Sequence, residues 1–517
     1  MTHRLDACLD RLPGAYQGPG GAVAVVKDGA LLAHRCWGWA NAERHVPFTR
    51  STPFRICSIT KQFVVSLILQ HAGDPSVLDA AVRARLPNLQ GPMPGARHLA
   101  DNQSGLRDYW ALAMLLGPQA EDAFAPGLAN RLIARARTLH FAPGTRYSYC
   151  NQNFRILGDA IAEHTGRDLA TLLGELFAQV GMQGASFSTE TAQGPGETVG
   201  YEGDQRAGFR QAVNRITWTG DAGIAATLDD MIAWEKFLDA GRHDPQSLAS
   251  RLFAPPRFAD GTPAFYGLGL AHGTRLGRRV IGHSGGLRGW RSTRFYAPAE
   301  RLSVIVLFNH LADPGAAAGE IFAAALGETP PAPTGQPDPA LPGTYLDPDT
   351  NLAALLTPAL VTPAGARLQL RFGQSAEMVD PAATEPGAVR LYADGHGVRM
   401  QRPMENLSVA LRRLDGPCPP DLAGRYGCDE IAAELLIEDA GGVLCGAFSG
   451  EMGQGVMQAL VPLGGDVWLL PCQRALDYSP PGEWTLVVRR EGGKVRGLTV
   501  GCWLARNLEY DRLGGVT

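Results

Sequence analysis

Residues 56–63 read Ile56-Cys57-Ser58-Ile59-Thr60-Lys61-Gln62-Phe63, a serine with a lysine three positions on. The lysine stands out because the chain uses so few. Of its 47 basic residues only four are lysines: Lys27, Lys61, Lys236 and Lys494. Arginine stays protonated in proteins, whereas burial readily moves a lysine pKa, so a lysine kept here suits proton transfer. The residues that follow, Phe63, Val64, Leu67 and Ile68, are apolar almost all round and predict a buried helix ending near His71-Ala72-Gly73. At i and i+3 on its first turn, the two side chains share one face. A helix N-terminus also disfavours an ammonium and favours an oxyanion. Ser58 and Lys61 are therefore a candidate nucleophile and its proton carrier. The other three lysines lie in glycine turns or an amphipathic helix, with no serine three residues before them.

Two downstream segments extend the pattern. Within Phe141–Asn151 stands Tyr149-x-Asn151, where the tyrosine offers a second proton carrier and the asparagine amide can hold a substrate carbonyl. Residues 281–286, Ile281-Gly282-His283-Ser284-Gly285-Gly286, end an apolar stretch in His283-x-Gly285. Gly285 lets a substrate backbone lie close, and the N–H of Gly286 could complete an oxyanion hole with that of Ser58. The same residues match G-x-S-x-G, a nucleophile elbow centred on Ser284. That motif needs a helix after it, and a glycine-broken aromatic stretch follows instead.

Around these segments the chain reads as α+β. Ala22–Val26 and Ala30–Leu32 flank Lys27-Asp28-Gly29, a hairpin signal. Helices are expected over 151–166, 170–181 and 315–326, and behind a capping box opened by Thr227; strands are expected over 292–296 and 302–308. Residues 328–343 are proline-rich and read as a linker. Beyond it Leu341-Pro-Gly-Thr-Tyr345 recurs as Leu422-Ala-Gly-Arg-Tyr426, each ahead of short alternating strands, which predicts two related antiparallel barrels. The expected division is a catalytic domain over 1–328, a linker over 329–340, and barrels over 341–416 and 417–517.

Composition narrows the class. The chain has 517 residues, 45% hydrophobic and 19% charged, with a net charge of −4, which suits a multidomain globular protein and gives no basic footprint for nucleic acid. No apolar stretch of spanning length and no secretory h-region appears, so neither a membrane span nor export is expected. The nine cysteines are scattered without zinc spacing, which points to reduced thiols in the cytoplasm and to no metal site.

In their order, Ser58-x-x-Lys61, Tyr149-x-Asn151 and His283-x-Gly285 resemble the penicillin-recognising serine hydrolases, the superfamily of serine β-lactamases and D-alanyl-D-alanine peptidases. The His-x-Gly form, the two β-modules and the segments Asn102–Trp110 and Gly501–Arg506 are similar to its D-stereospecific aminopeptidases. The resemblance implies a β-lactamase-like catalytic domain followed by two small lipocalin-like barrels, and an acyl transfer without cofactor. Ser58 would attack the carbonyl of a small N-terminal D-residue such as D-alanine, with Lys61 and Tyr149 sharing the proton. His283 would tune the charge, and Asn151, Gly285 and the oxyanion donors would hold substrate. It also implies that the loop 473–483 of the last barrel reaches the active site, where Asp477 would meet the substrate ammonium. A peptide or amide substrate and a homodimer follow from the same likeness. An esterase, a carboxypeptidase, a β-lactamase-like hydrolase or a silent penicillin-binding sensor are the alternatives. Retention of four proton-handling side chains argues against silence.

Overall fold

The computed structural model describes residues 2–329, 338–362, 365–373, 377–379, 387–393, 397–472, 474–476 and 481–514. Residues 330–337 of the proline-rich stretch and Asp477 lie outside the described residues. Among the described residues no helix is long and apolar enough to cross a membrane.

The first sheet has eight antiparallel strands, in the order 46–47, 30–41, 20–27, 302–308, 290–297, 278–287, 270–275 and 266–267. The hairpin read from sequence opens it: Gly20–Lys27 pairs with Ala30–Asn41 around Asp28 and Gly29, both at positive φ. Val23, Val25 and Phe308 face one side of the sheet, where the helices Thr2–Ala15 and Pro314–Leu326 pack. The first of these helices was not expected. Leu5, Leu9 and Leu12 form its apolar face, but the acidic residues between them mask the period.

The opposite face carries the helical block. Thr60–His71, Asn151–Thr165, Leu169–Val180 and Leu228–Gly241 agree with the expected spans. Thr227 caps the last of these in a reciprocal box with Asp230. The strand Arg278–Leu287 turns directly into the strand Trp290–Ala297 with no helix between them, so Ser284 does not sit on an elbow.

Past the linker come two further antiparallel sheets. The second runs 377–379, 365–372, 352–362, 343–347, 407–413, 398–402 and 390–393. The third runs 453–454, 444–450, 433–439, 424–428, 505–512, 494–502, 484–491, 467–470 and 461–464. In the third, Gln458–Ala459 pairs back on Leu444–Gly450 just before Val461–Gly464 begins, so the sheet curls almost shut. The repeated Leu-x-Gly-x-Tyr has one physical meaning in both. Tyr345 donates its hydroxyl to Leu341 O at 3.0 Å, and Tyr426 does the same to Leu422 O at 2.7 Å. The paired strand then lays Arg413 over the Tyr345 ring and Arg512 over the Tyr426 ring. The two sheets are built on one plan.

Candidate active site

The nucleophile stretch splits into two helical types. Cys57–Ile59 form a 3₁₀ turn and Thr60–His71 the α-helix behind it. Residues i and i+3 eclipse on a 3₁₀ turn, and Lys61 Nζ lies 3.1 Å from Ser58 Oγ. The turn is pinned on both sides, because Ile56 N donates to Ile224 O at 3.2 Å and Ile224 N to Thr60 Oγ1 at 3.1 Å. Cys57, the residue before the serine, takes φ of +52°, a left-handed conformation costing a side chain about 1–3 kcal/mol.

Lys61 is fully buried. Besides Ser58 it donates to Asn151 Oδ1 at 3.0 Å and to the Asp221 carbonyl at 2.8 Å. Burial pulls its pKa down to about 8, opposed by the Asp221 and Asp108 charges. The three partners are not equivalent. A carbonyl and an amide oxygen only accept, whereas a hydroxyl also donates. When the amine is neutral, its lone pair is therefore directed at Ser58.

Asn151 opens the helix Asn151–Thr165. Its amide is already engaged, with Oδ1 on Lys61 and Nδ2 donating to Asp108 Oδ2 at 3.0 Å; one Nδ2 hydrogen remains. Asp108 went unnoticed in the sequence as a site residue. It caps the helix Tyr109–Met114, with Oδ1 accepting from Trp110 N and Ala111 N and Oδ2 from Asn151 N and Nδ2. Burial raises its pKa to about 6. The signal for it was an N-cap aspartate before an apolar run. The segment before it braces the stretch that carries Tyr149: Ser148 N donates to Asn102 O at 3.0 Å, and Asn102 Oδ1 accepts from Cys150 N and Asn153 Nδ2.

Tyr149 closes over Lys61, whose Nζ lies 4.9 Å from the ring centre. Burial raises the phenol pKa well above its ordinary value, while its contact with Ser58 pulls the other way. The ring centre of His283 is 6.2 Å from that of Tyr149. Nδ1–H of His283 donates to Ser284 O at 2.5 Å, so Nε2 accepts from the Tyr266 hydroxyl at 2.9 Å. Burial, helped by the Lys61 charge, holds its pKa down to about 3, and the imidazole is neutral. Tyr266 is a second residue that the sequence did not announce; it comes from a two-residue edge strand.

Gly285 is required by packing. A Cβ there would lie 2.3 Å from Ile56 O and 2.5 Å from Ser292 Oγ. Its absence lets the strand Arg278–Leu287 lie against the nucleophile turn, with Gly286 beside the cleft. That cleft has a volume of about 750 Å³, and Ser58, Tyr149, Asn151, His283 and Gly286 all line it.

The third sheet supplies part of the wall. Leu504, in the turn between the strands Lys494–Cys502 and Ala505–Arg512, lines the cleft, and its carbonyl accepts from Asp108 N at 2.9 Å. Next to it Trp503 packs on Tyr147 and donates its backbone N–H to Gly373 O at 2.7 Å. The expected loop 473–483 is described only at its ends. Arg474 and Leu476 dock on Gln119–Glu121, and Asp477 lies outside the described residues.

Residues 5–328 match the Beta-lactamase family, and residues 334–511 match D-aminopeptidase, domain B. The D-aminopeptidase of Gluconobacter oxydans is 51% identical over 525 residues, covering 99% of both chains. That of Brucella canis is 46% identical over 98% of both. In fold, the octameric penicillin-binding protein homologue from Pyrococcus abyssi superposes with a TM-score of 0.53 at 19% identity, over 87% of this chain and 99% of that one. A serine and lysine on one helical turn, under a β-lactamase-type sheet and joined to the domain found in D-aminopeptidases, leave one conclusion: this chain is a serine hydrolase that belongs to the D-aminopeptidases of the Beta-lactamase family.

Proposed function

We propose that the enzyme releases a small N-terminal D-residue, D-alanine above all, from peptides, amides and esters through an acyl-enzyme on Ser58. The observation that carries this reading is the unequal set of partners around Lys61, which points the lone pair of a neutral amine at Ser58 Oγ. Lys61 takes the hydroxyl proton as Oγ bonds the substrate carbonyl carbon. The proton then passes, by way of Tyr149, to the leaving amine as the C–N bond breaks. Water hydrolyses the resulting ester with the same groups in reverse order, returning Ser58 and freeing the D-amino acid. The N–H groups of Ser58 and Gly286 hold the oxyanion. Asn151 and the Gly285 strand align the substrate, neutral His283 keeps a second positive charge away from Lys61, and Asp477 meets the substrate ammonium. The division at 328, 340 and 416, with a homodimer as the working unit, belongs to the same proposal.

The test is turnover of D-alanine p-nitroanilide beside its L-enantiomer, an uncharged ester and a β-lactam, with a serine-directed acylating reagent to label the nucleophile. D-selective release with label on Ser58 is expected. Label on Ser284, or equal turnover of both enantiomers, overturns the proposal.

A further inference from the structure

Away from the proton-handling groups, one buried carboxylate holds three arginines. Glu202 lies on the short strand Tyr201–Asp204, and its side chain is only 4% exposed. Oε1 accepts from Arg210 Nε at 2.8 Å, Arg288 Nη2 at 3.0 Å and Arg474 Nη2 at 3.1 Å. Oε2 accepts from Arg288 Nε at 2.7 Å and Arg474 Nη2 at 3.1 Å. Glu121 Oε1 adds a second anion, 2.9 Å from Arg288 Nη2 and 3.4 Å from Arg474 Nη2.

These residues come from separate parts of the fold. Arg288 stands two positions after Gly286, at the turn between two cleft-lining residues, Leu287 and Arg291. Glu121 follows the helix Tyr109–Met114, which carries Trp110 into the cleft. Arg474 leaves the third sheet beyond the strand Val467–Leu470. The backbone docks at the same point: Leu476 N donates to Gln119 O at 3.0 Å, and Ala120 and Leu476 form a parallel bridge. Fully buried Arg288 needs Glu202 whether or not Arg474 is present, because an unpaired buried charge is strongly destabilising. Arg474 is the separable member. Its side chain is 31% exposed and that of Glu121 is 41% exposed, so salt reaches their contact.

We propose that Glu202 is a positioning residue. By holding Arg288 and Arg474 on one carboxylate, it latches the third sheet to the hairpin that follows Gly286 and fixes the two walls of the cleft against each other. The latch acts on substrate binding and leaves the proton transfer alone. Its kinetic consequence rests on the reading of this cleft as the aminopeptidase site.

Arg474→Leu, Arg474→Lys and Glu202→Gln test it, assayed with D-alanine p-nitroanilide at low and high salt. Arg474→Leu should raise KM about three- to tenfold, the range expected for a partly buried ion pair, with kcat and melting temperature near wild type. Arg474→Lys should recover part of that loss, since a point charge replaces the fork. The wild-type KM should rise with salt, in part through screening of the substrate ammonium, and Arg474→Leu should remove the part of that rise due to the latch. Glu202→Gln should raise KM at least as far and also lower stability. A second readout needs no turnover: exchange of the Leu476 amide hydrogen should quicken in Arg474→Leu. Wild-type KM, salt response and exchange in that variant overturn the latch, as does a joint fall of kcat, KM and melting temperature. If wild-type enzyme fails to cleave the anilide while exchange still quickens, the aminopeptidase reading falls and the latch stands.

Discussion

Lys61 Nζ lies 3.1 Å from Ser58 Oγ, and among the described residues the serine is the one hydrogen-bonded neighbour that can give it a proton. Arginine at this position would keep the charge and lose the lone pair. Lys61→Arg should therefore reduce kcat/KM for D-alanine p-nitroanilide by about 10²–10⁴, the usual worth of a general base, with little change in the far-ultraviolet circular dichroism. A variant retaining a tenth of the activity would remove Lys61 from the proton path.

The pKa of about 8 sets the direction of the pH profile. Lys61 accepts a proton only when neutral, so kcat/KM for an uncharged ester should climb with unit slope up to about pH 8 and then level, while for D-alanine p-nitroanilide it should fall again as the substrate ammonium is lost. His283, held near 3, adds no inflection between 5 and 8. Stability follows the same sign. Between about 8 and the ordinary value of 10.5 the unfolded chain holds a proton that the folded enzyme has released, so this group makes the fold more stable as pH rises there. A profile flat from pH 6 to 9 would exclude Lys61 as the base.

Asp108 accepts from four N–H groups with two oxygens. Asp108→Asn keeps one acceptor oxygen and turns an NH₂ toward donors. An unpaired buried donor costs about 1–3 kcal/mol, so kcat should fall about ten- to a hundredfold as Asn151 loses its orientation. KM should change less. An unaltered kcat would reduce Asp108 to a helix cap.

Gly285→Ala adds a methyl 2.3 Å from Ile56 O, and that neighbour is backbone at the strained nucleophile turn. Overpacking of this kind costs about 1–3 kcal/mol. Activity should fall more steeply than stability, because the displaced atoms adjoin Ser58. Calorimetry and acylation rates measured on one preparation separate the two effects.

Asp477→Asn should raise KM for substrates with a free amine while sparing acylation by an uncharged ester. Equal loss on both would reject Asp477 as the ammonium anchor.

What was legible in the sequence was local. Asp28-Gly29 announced the first hairpin, Thr227 and Asp230 announced a capped helix, and the Leu-x-Gly-x-Tyr repeat closes on itself within five residues. The spacing of Ser58 and Lys61 was legible for the same reason, since one turn brings them together. Asp108, Tyr266 and Leu504 were hidden because their partners lie far away along the chain. The hydroxyl of Tyr266 gains meaning only when a two-residue edge strand sets it against His283. Glu202 was harder still: Arg210 faces it across a short hairpin, but Arg288 and Arg474 come from distant segments that no spacing rule joins to it. The helix Thr2–Ala15 was readable in principle from Leu5, Leu9 and Leu12, but the charges between them broke up the apolar period.

The Leu504 turn also bears on how the enzyme is made. A ribosome delivers Leu504 some 446 residues after Ser58. Until that hairpin folds, the Leu504 carbonyl is missing from Asp108 N, and the cleft lacks one wall. The nascent chain thus holds its nucleophile in an unfinished pocket, and competence waits until the Leu504 hairpin has been made and has closed.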